Sequence, residues 1–146
     1  EGWVRLGRVG GRHVVVLADD VGSVDIPNRG RELRFHERAG VGGANANFVS
    51  RISGSTGTDA SKLLEASWAV RTYERGVEGE TLACGTGTVT AALALAAQGI
   101  DRLPLQFRTE SGRLLAVNAT IEGSRATHIW LCGEGRLVAR GVWLDA

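Results

Sequence analysis

Short apolar runs separated by turn residues predict a chain built mainly from β-strands. Residues 3–6 alternate apolar and basic side chains, as in a half-buried strand, and residues 13–17 form a continuous β-branched run typical of a buried strand. Glycine-containing turns separate many of these runs, so we expect antiparallel hairpins. Similar runs predict further strands at residues 45–52, 68–73, 105–110, 113–121, 127–132 and 137–144.

Residues 86–98 have the pattern of a helix without a polar face. The segment is apolar nearly all round, Thr86 supplies its start and Gly99 its stop. A helix with no polar face is expected to be buried. The pattern therefore predicts an α+β fold in which mostly antiparallel strands curl around one buried central helix.

Two polar segments lie between the predicted strands. Residues 27–37, rich in Arg and Glu, predict a short surface helix or turn whose charges are solvated. Residues 53–67 predict a long exposed hairpin loop, with one helical turn around residues 61–65. We interpret this loop as a tolerated insertion, since its residues offer no chemistry.

The composition is that of one globular domain, residues 1–146, with 43% hydrophobic and 23% charged residues. No apolar run approaches the ~20 residues of a membrane span, and there is no secretory signal, so a cytoplasmic protein with no membrane partner is expected. With 17 basic and 16 acidic side chains, no nucleic-acid partner is expected. The chain starts at Glu1 and has no Met, from which we expect a piece of a longer polypeptide.

Cys84 carries the strongest chemical signal. It stands immediately before the predicted buried helix, next to Gly85 and Gly87. The free N–H groups and partial positive charge of a helix start favour a thiolate and can also hold a substrate carboxylate. The alternative is a structural cysteine in a tight turn. The preceding Glu74 and Arg75 favour the functional interpretation, because opposite charges at one turn can bind a zwitterion.

These residues belong to three segments that resemble the C-terminal half of diaminopimelate epimerases. The segments are residues 45–49 (Asn-Ala-Asn-Phe-Val), 71–76 (Arg-Thr-Tyr-Glu-Arg-Gly) and 79–87 (Gly-Glu-Thr-Leu-Ala-Cys-Gly-Thr-Gly). The resemblance extends more weakly over nearly the whole chain and covers about half of the two-domain family chain. It implies a cofactor-independent isomerase of lysine biosynthesis that converts LL-diaminopimelate to the meso form.

The resemblance also implies roles for individual residues. Cys84 would be one of two opposed thiols that remove and return the Cα proton, the other belonging to an N-terminal half that nothing here resembles. The domain alone is therefore expected to be inactive. The substrate carboxylate, its ammonium group and its distal end would be held by three groups of residues, and His13 would modulate thiol acidity. Those groups are Gly85 and Thr86 for the carboxylate, Glu74 for the ammonium, and Arg75 with Asn45 for the distal end.

Other polar residues have simpler interpretations. Of Asn45 and Asn47, one side chain is expected to face inward and the other outward, and both could instead cap the Gly-rich turn. His13 could be a core histidine, and Cys132 is expected to be an ordinary strand cysteine. No metal site is expected, because His36 and His128 lack metal-ligand spacing. Both cysteines are expected to be reduced, and Glu78 and Glu80 would oppose thiolate formation unless they point to solvent.

One departure from the family pattern leaves the substrate open. Gly11 and Arg12 replace the usual Asn-Pro before His13, which removes one amide contact to the distal carboxylate, and Arg12 is a candidate to replace it through its charge. Another amino-acid racemase of the same fold is therefore an alternative, as is a non-catalytic domain that binds a carboxylate. The expected partners are an amino-acid substrate, the missing half and a second copy in a homodimer.

Overall fold

The computed structural model of the chain describes residues 2, 4–52 and 66–142. Its strands form an eight-stranded mixed sheet in the order β1-β2-β3-β4-β6-β7-β8, with β5 paired to β4. The helices are α1 (Ile26–Arg34) and α2 (Gly85–Ala97), and short 3-10 helices cover Val21–Ser23 and Glu37–Ala39. The strands are β1 (Val4–Val9), β2 (Gly11–Leu17), β3 (Asn45–Arg51), β4 (Trp68–Glu74), β5 (Gly79–Thr81), β6 (Leu105–Arg108), β7 (Leu114–Glu122) and β8 (Arg125–Gly133).

The strand directions bring separate parts of the sequence to one end of the sheet. β2 and β3 are parallel, with His13 opposite Asn45, whereas β3 and β4 are antiparallel, with Ala46 opposite Tyr73. β2 and β3 therefore begin where β4 ends. We call this the upper end of the sheet, and α2 also begins there, since Cys84 caps it close to the upper ends of β3 and β4.

The core has two halves, one on each face of the sheet. Because side chains alternate along a strand, Val14 and Val16 pack with α1, whereas Val15 between them packs with α2. The α1 face is completed by Ala46, Phe48, Tyr73, Ile26 and Leu33. The α2 face is completed by Val49, Trp68, Val70, Phe107, Val89, Ala92 and Leu95.

The α+β class and the mostly antiparallel pairing agree with the sequence prediction, but the single central helix does not. α2 is buried over residues 87–92 and at Leu95, yet it lies on one face of the sheet and its last residue, Ala97, is exposed. α1 covers the other face and buries Ile26, Gly30 and Leu33. Its segment was predicted as a short surface helix or turn. The helix is present, but it packs on the sheet, because its charges hide the apolar positions that face the strands.

Other predicted elements differ in detail. β5 was not predicted, because a three-residue strand gives little periodicity. Residues 137–142 of the predicted last strand are not in a strand, and Leu137, Val138 and Val142 are exposed. The predicted helical turn and most of the predicted loop lie outside the described residues. Neither described helix is both long and apolar enough to span a lipid bilayer.

We expect Gly30→Ala to destabilise the fold. A Cβ at Gly30 would lie 2.4 Å from Tyr73 Cβ and 2.7 Å from Tyr73 Cγ, atoms that cannot move without the β4 backbone. Overpacking costs about 1–3 kcal/mol, which exceeds the ~1 kcal/mol that Ala contributes as a helix former. Urea unfolding followed by circular dichroism measures the difference.

The matched control is Gly135→Ala, whose Cβ would meet nothing within 4 Å. This exposed position should change the free energy of unfolding by no more than about 0.5 kcal/mol. Equal stability of Gly30→Ala and wild type would contradict the close packing of α1 on β4.

Candidate active site

The structure brings all the site residues expected from the sequence to the upper end of the sheet. They come from the start of β2 (His13), the start of β3 (Asn45), the end of β4 (Glu74, then Arg75) and the start of α2 (Cys84, Gly85 and Thr86). Near contacts connect these elements. A Cβ on Gly10 would lie 3.7 Å from Thr86 Cγ2, and one on Gly11 would lie 3.6 Å from Arg75 Nη2.

Cys84 occupies the N-cap position of α2 in an extended conformation, with φ −130° and ψ 107°. Its side chain is buried and makes no capping hydrogen bond, so the thiol is not used to close the helix. Sγ lies 3.7 Å from the Thr86 hydroxyl oxygen. The first-turn N–H groups of a helix have no intrahelical partners, so the thiol stands beside free donors and the positive end of the helix dipole.

Gly87 allows the first turn of α2 to lie directly on β3. A Cβ at this position would lie 2.1 Å from Asn47 Oδ1 and 3.2 Å from Cys84 Sγ. The glycine is thus required by space, because its φ is not in the left-handed region. The Cys84 thiol and the Asn47 amide therefore both lie close to Gly87.

His13 lies in a fully buried polar cluster. Asn47 Nδ2 lies 3.3 Å from His13 Nδ1, and Asn47 Oδ1 accepts a hydrogen bond from the Thr72 hydroxyl at 3.1 Å. His13 Nε2 has no hydrogen-bond partner of good geometry in the described part of the chain. Burial lowers the pKa of His13, and nearby Arg75 lowers it further, while the backbone of Val9 and the carboxylate of Glu74 oppose the shift.

The expectation that Asn45 and Asn47 face opposite sides is wrong. Residues two apart in a strand point to the same face, and both Nδ2 atoms approach His13 Nδ1, that of Asn45 at 3.5 Å. Asn45 Oδ1 accepts a hydrogen bond of 2.7 Å from the backbone N–H of Arg75. Asn45 therefore holds the backbone where β4 leaves the sheet.

Glu74 and Arg75 have side chains available for a ligand. Glu74 is half-buried, and its alternation along β4 places it on the α2 face with Thr72. Its carboxylate makes no hydrogen bond or ion pair with another described residue. The Arg75 side chain is exposed, with one guanidinium nitrogen over Gly11. A carboxylate and a guanidinium thus lie at the end of the sheet where α2 begins.

Arg12 points away from the other site residues. It lies one residue from His13, so it points to the opposite, α1 face of β2, and its guanidinium donates to the carbonyl of Ala39 at 2.9 Å. Glu78 and Glu80 do not act as free charges near the thiol either. Glu78 pairs with Arg34 at 2.9 Å and Glu80 with Arg71 at 2.6 Å.

Sequence reasoning missed two residues of the site, Asn47 in its buried role and Thr72. The i, i+2 spacing from Asn45 is a signal that could have identified Asn47, whereas a lone Thr in a strand carries no such signal.

Cys132 lies exposed on β8, and both cysteines are free. Within the ranges that the structure describes, there is no group of three or more His, Cys, Asp or Glu side chains that could hold a metal ion.

We expect Gly87→Ala to destabilise the protein by about 1–3 kcal/mol, because its Cβ would overlap the buried Asn47 amide. Gly85→Ala in the same turn is the matched control. Its Cβ would meet only the end of the Leu131 side chain, at 2.9 Å, and this half-exposed chain end can move. Chemical unfolding compares the two; equal stability would contradict the packing of α2 on β3.

We expect His13 to make the stability depend on pH below about 6.5, the ordinary pKa of the ring. Because the folded ring has a lower pKa, the unfolded chain binds more protons in this range. The free energy of unfolding is therefore fully retained above about 6.5 and falls as pH decreases towards the folded pKa. Each unit of pKa difference contributes about 1.4 kcal/mol.

Urea unfolding at about pH 7.5 and pH 5.5 tests this, with His13→Gln expected to reduce the difference and exposed His128→Gln to preserve it. The carboxylates whose pKa is lowered do not contribute to this difference, because they titrate at more acidic pH; they are Asp25, Glu78 and Glu134. A wild-type difference no larger than that of His13→Gln would contradict a buried, neutral His13.

Comparison with known proteins identifies the family of the chain. The family model described as diaminopimelate epimerase matches residues 6–138. The chain is 42% identical over 139 residues to diaminopimelate epimerase of Gemmatimonas aurantiaca, covering 88% of this chain and 45% of that protein. It is 40% identical over 107 residues to that of Aquifex aeolicus, covering 73% of this chain and 34% of that protein.

Among solved structures, the chain is similar in fold to a phenazine biosynthesis protein of the PhzF family from Bacillus anthracis. The TM-score is 0.50 at 22% identity, over 80% of this chain and 33% of that one. The chain spans less than half the length of these curated relatives. With a family match over most of its residues and a site assembled from the matching segments, the chain belongs to the diaminopimelate epimerase family.

Proposed function

We propose that the chain is the C-terminal domain of a diaminopimelate epimerase, which converts the LL form to the meso form by proton transfer at Cα without a cofactor. The observation that carries this proposal is the position of Cys84. Its thiol is buried at the N-cap of α2 and makes no capping hydrogen bond, and it lies beside the free first-turn N–H groups at the same end of the sheet as Glu74 and Arg75.

A two-base reaction needs a second thiol on the other side of the substrate carbon. Cys132 does not suit this role, since it is exposed on β8. The second base would come from an N-terminal half, which fits a chain that spans less than half of its relatives. In this proposal the domain contributes half of an active site and is inactive alone.

The substrate would lie across the upper end of the sheet. The N–H groups of Gly85 and Thr86 would bind its reacting carboxylate, and Glu74 would bind its ammonium group. Arg75 and Asn45 would bind the distal end, Asn45 by accepting the Arg75 backbone N–H on its Oδ1 and so positioning that residue. Opposite charges at two separated points match a substrate with two amino-acid ends.

The difficult step is removal of a weakly acidic Cα proton. The negative charge that develops on the substrate carboxylate needs fixed dipoles in a site from which water is excluded. The start of α2 supplies the dipoles. Exclusion of water would come from the second half closing over the upper end, and the reduced thiol requires a compartment such as the cytoplasm.

A racemase of another amino acid is the alternative, and the orientation of Arg12 favours considering it. With Gly11 and an Arg12 that faces the α1 side, distal recognition rests on Arg75 and Asn45. Assays with diaminopimelate, proline, hydroxyproline and glutamate separate the two functions. Turnover of proline but not of diaminopimelate would support the alternative, and binding of a carboxylate without any turnover would support a non-catalytic domain.

We expect Cys84→Ala to abolish epimerisation in a protein that carries both halves, because one of the two bases is lost. Solvent deuterium incorporation at the substrate Cα, measured by mass spectrometry, reports each proton transfer. Cys132→Ala, which changes the thiol on β8, is the matched control and should retain wild-type exchange. Full activity of Cys84→Ala would contradict the proposed role.

A further inference from the structure

The orientation of the Asn47 amide is fixed by a partner that has only one hydrogen-bonding role. Its Nδ2 lies 2.9 Å from the carbonyl oxygen of Val14, which can only accept, so this atom must be the NH₂ group. Its Oδ1 accepts from the Thr72 hydroxyl. The second N–H of Asn47 is thereby left facing His13 Nδ1 at 3.3 Å.

The Asn45 amide is fixed in the same way. Its Oδ1 lies 2.7 Å from the backbone nitrogen of Arg75, which can only donate. Its NH₂ group therefore points away from Arg75, towards the Arg12 carbonyl and His13 Nδ1, each at 3.5 Å.

His13 Nδ1 thus faces two NH₂ groups and has an acceptor's role. A proton on Nδ1 would be directed at hydrogen atoms of both amides in a site without water contact, since His13 is fully buried. The ring must carry its single proton on Nε2. Desolvation acts in the same direction by disfavouring the charged ring, as does Arg75, whereas Glu74 and the Val9 backbone act against it.

We propose that Asn47 is a positioning residue, which together with Asn45 holds His13 as the neutral tautomer protonated on Nε2. His13 then has no free lone pair, because Nδ1 accepts from the amides and the buried Nε2 carries the proton, so the ring does not take the proton of Cys84. Only one consequence rests on the proposed function: if Cys84 is a catalytic base, the start of α2, and not His13, activates its thiol. Asn47 connects His13 to the start of α2, because its Oδ1 and the Cys84 sulfur both lie close to Gly87.

Nitrogen-15 NMR of histidine-labelled protein tests the tautomer directly. The His13 resonances are assigned by their loss in His13→Gln. At pH 7 we expect an unprotonated Nδ1 and a protonated Nε2 in the wild type. In Asn47→Asp the carboxylate accepts where the amide donated, and we expect the proton to shift to Nδ1. Asn45→Asp reverses the second contact, keeps an acceptor for Arg75, and serves if Asn47→Asp fails to fold.

Thr72→Val is the matched control for a merely structural role of the cluster. It removes the hydroxyl that bonds Asn47 but leaves the Val14 carbonyl to orient the amide, so the tautomer should not change. A wild-type ring protonated on Nδ1, or a tautomer unchanged in both folded aspartate variants, would overturn the proposal. Because the spectra are recorded without substrate, the outcome does not depend on whether the protein is an epimerase.

Discussion

The structure depends on the close approach of the α2 first turn to β3. At Gly87 the helix backbone lies so near Asn47 that a single methyl group would overlap its amide oxygen. This contact fixes where α2 begins and therefore where its free N–H groups and the Cys84 thiol stand. The parallel pairing of β2 and β3 then places His13 and Asn45 beside this point, and the antiparallel β4 brings Glu74 and Arg75 to it.

Apolar packing on both faces of the sheet holds this arrangement, so the upper end can carry polar groups with few internal partners. Trp68, Phe48 and Phe107 are among the largest fully buried side chains, and they lie on the sheet strands below the site. Fixed dipoles such as the first-turn N–H groups of α2 do not have to reorganise when charge develops on a bound group, which is the physical basis of electrostatic catalysis. The fold thus prepares the site before any ligand binds.

Much of this could be predicted from local patterns, and the failures have identifiable causes. The strands 13–17 and 68–73 and the helix after Cys84 have strong periodicity, and the segment around Cys84 carried the family resemblance. The burial of α1 against the sheet was not predicted, because Arg and Glu mask the spacing of Ile26 and Leu33. The Asn47 to His13 contact and the direction of Arg12 depend on strand pairing and register, which no local pattern reports.

The central claim is that the Cys84 thiol acts on the Cα of an amino acid whose carboxylate lies at the start of α2. The most direct measurement is a crystal structure of the two-domain protein with diaminopimelate bound. We expect Cys84 Sγ within about 3.5 Å of the substrate Cα, as required for reacting atoms, and the carboxylate on the N–H groups of Gly85 and Thr86. A ligand bound elsewhere, or with its Cα out of reach of Sγ, would contradict the account.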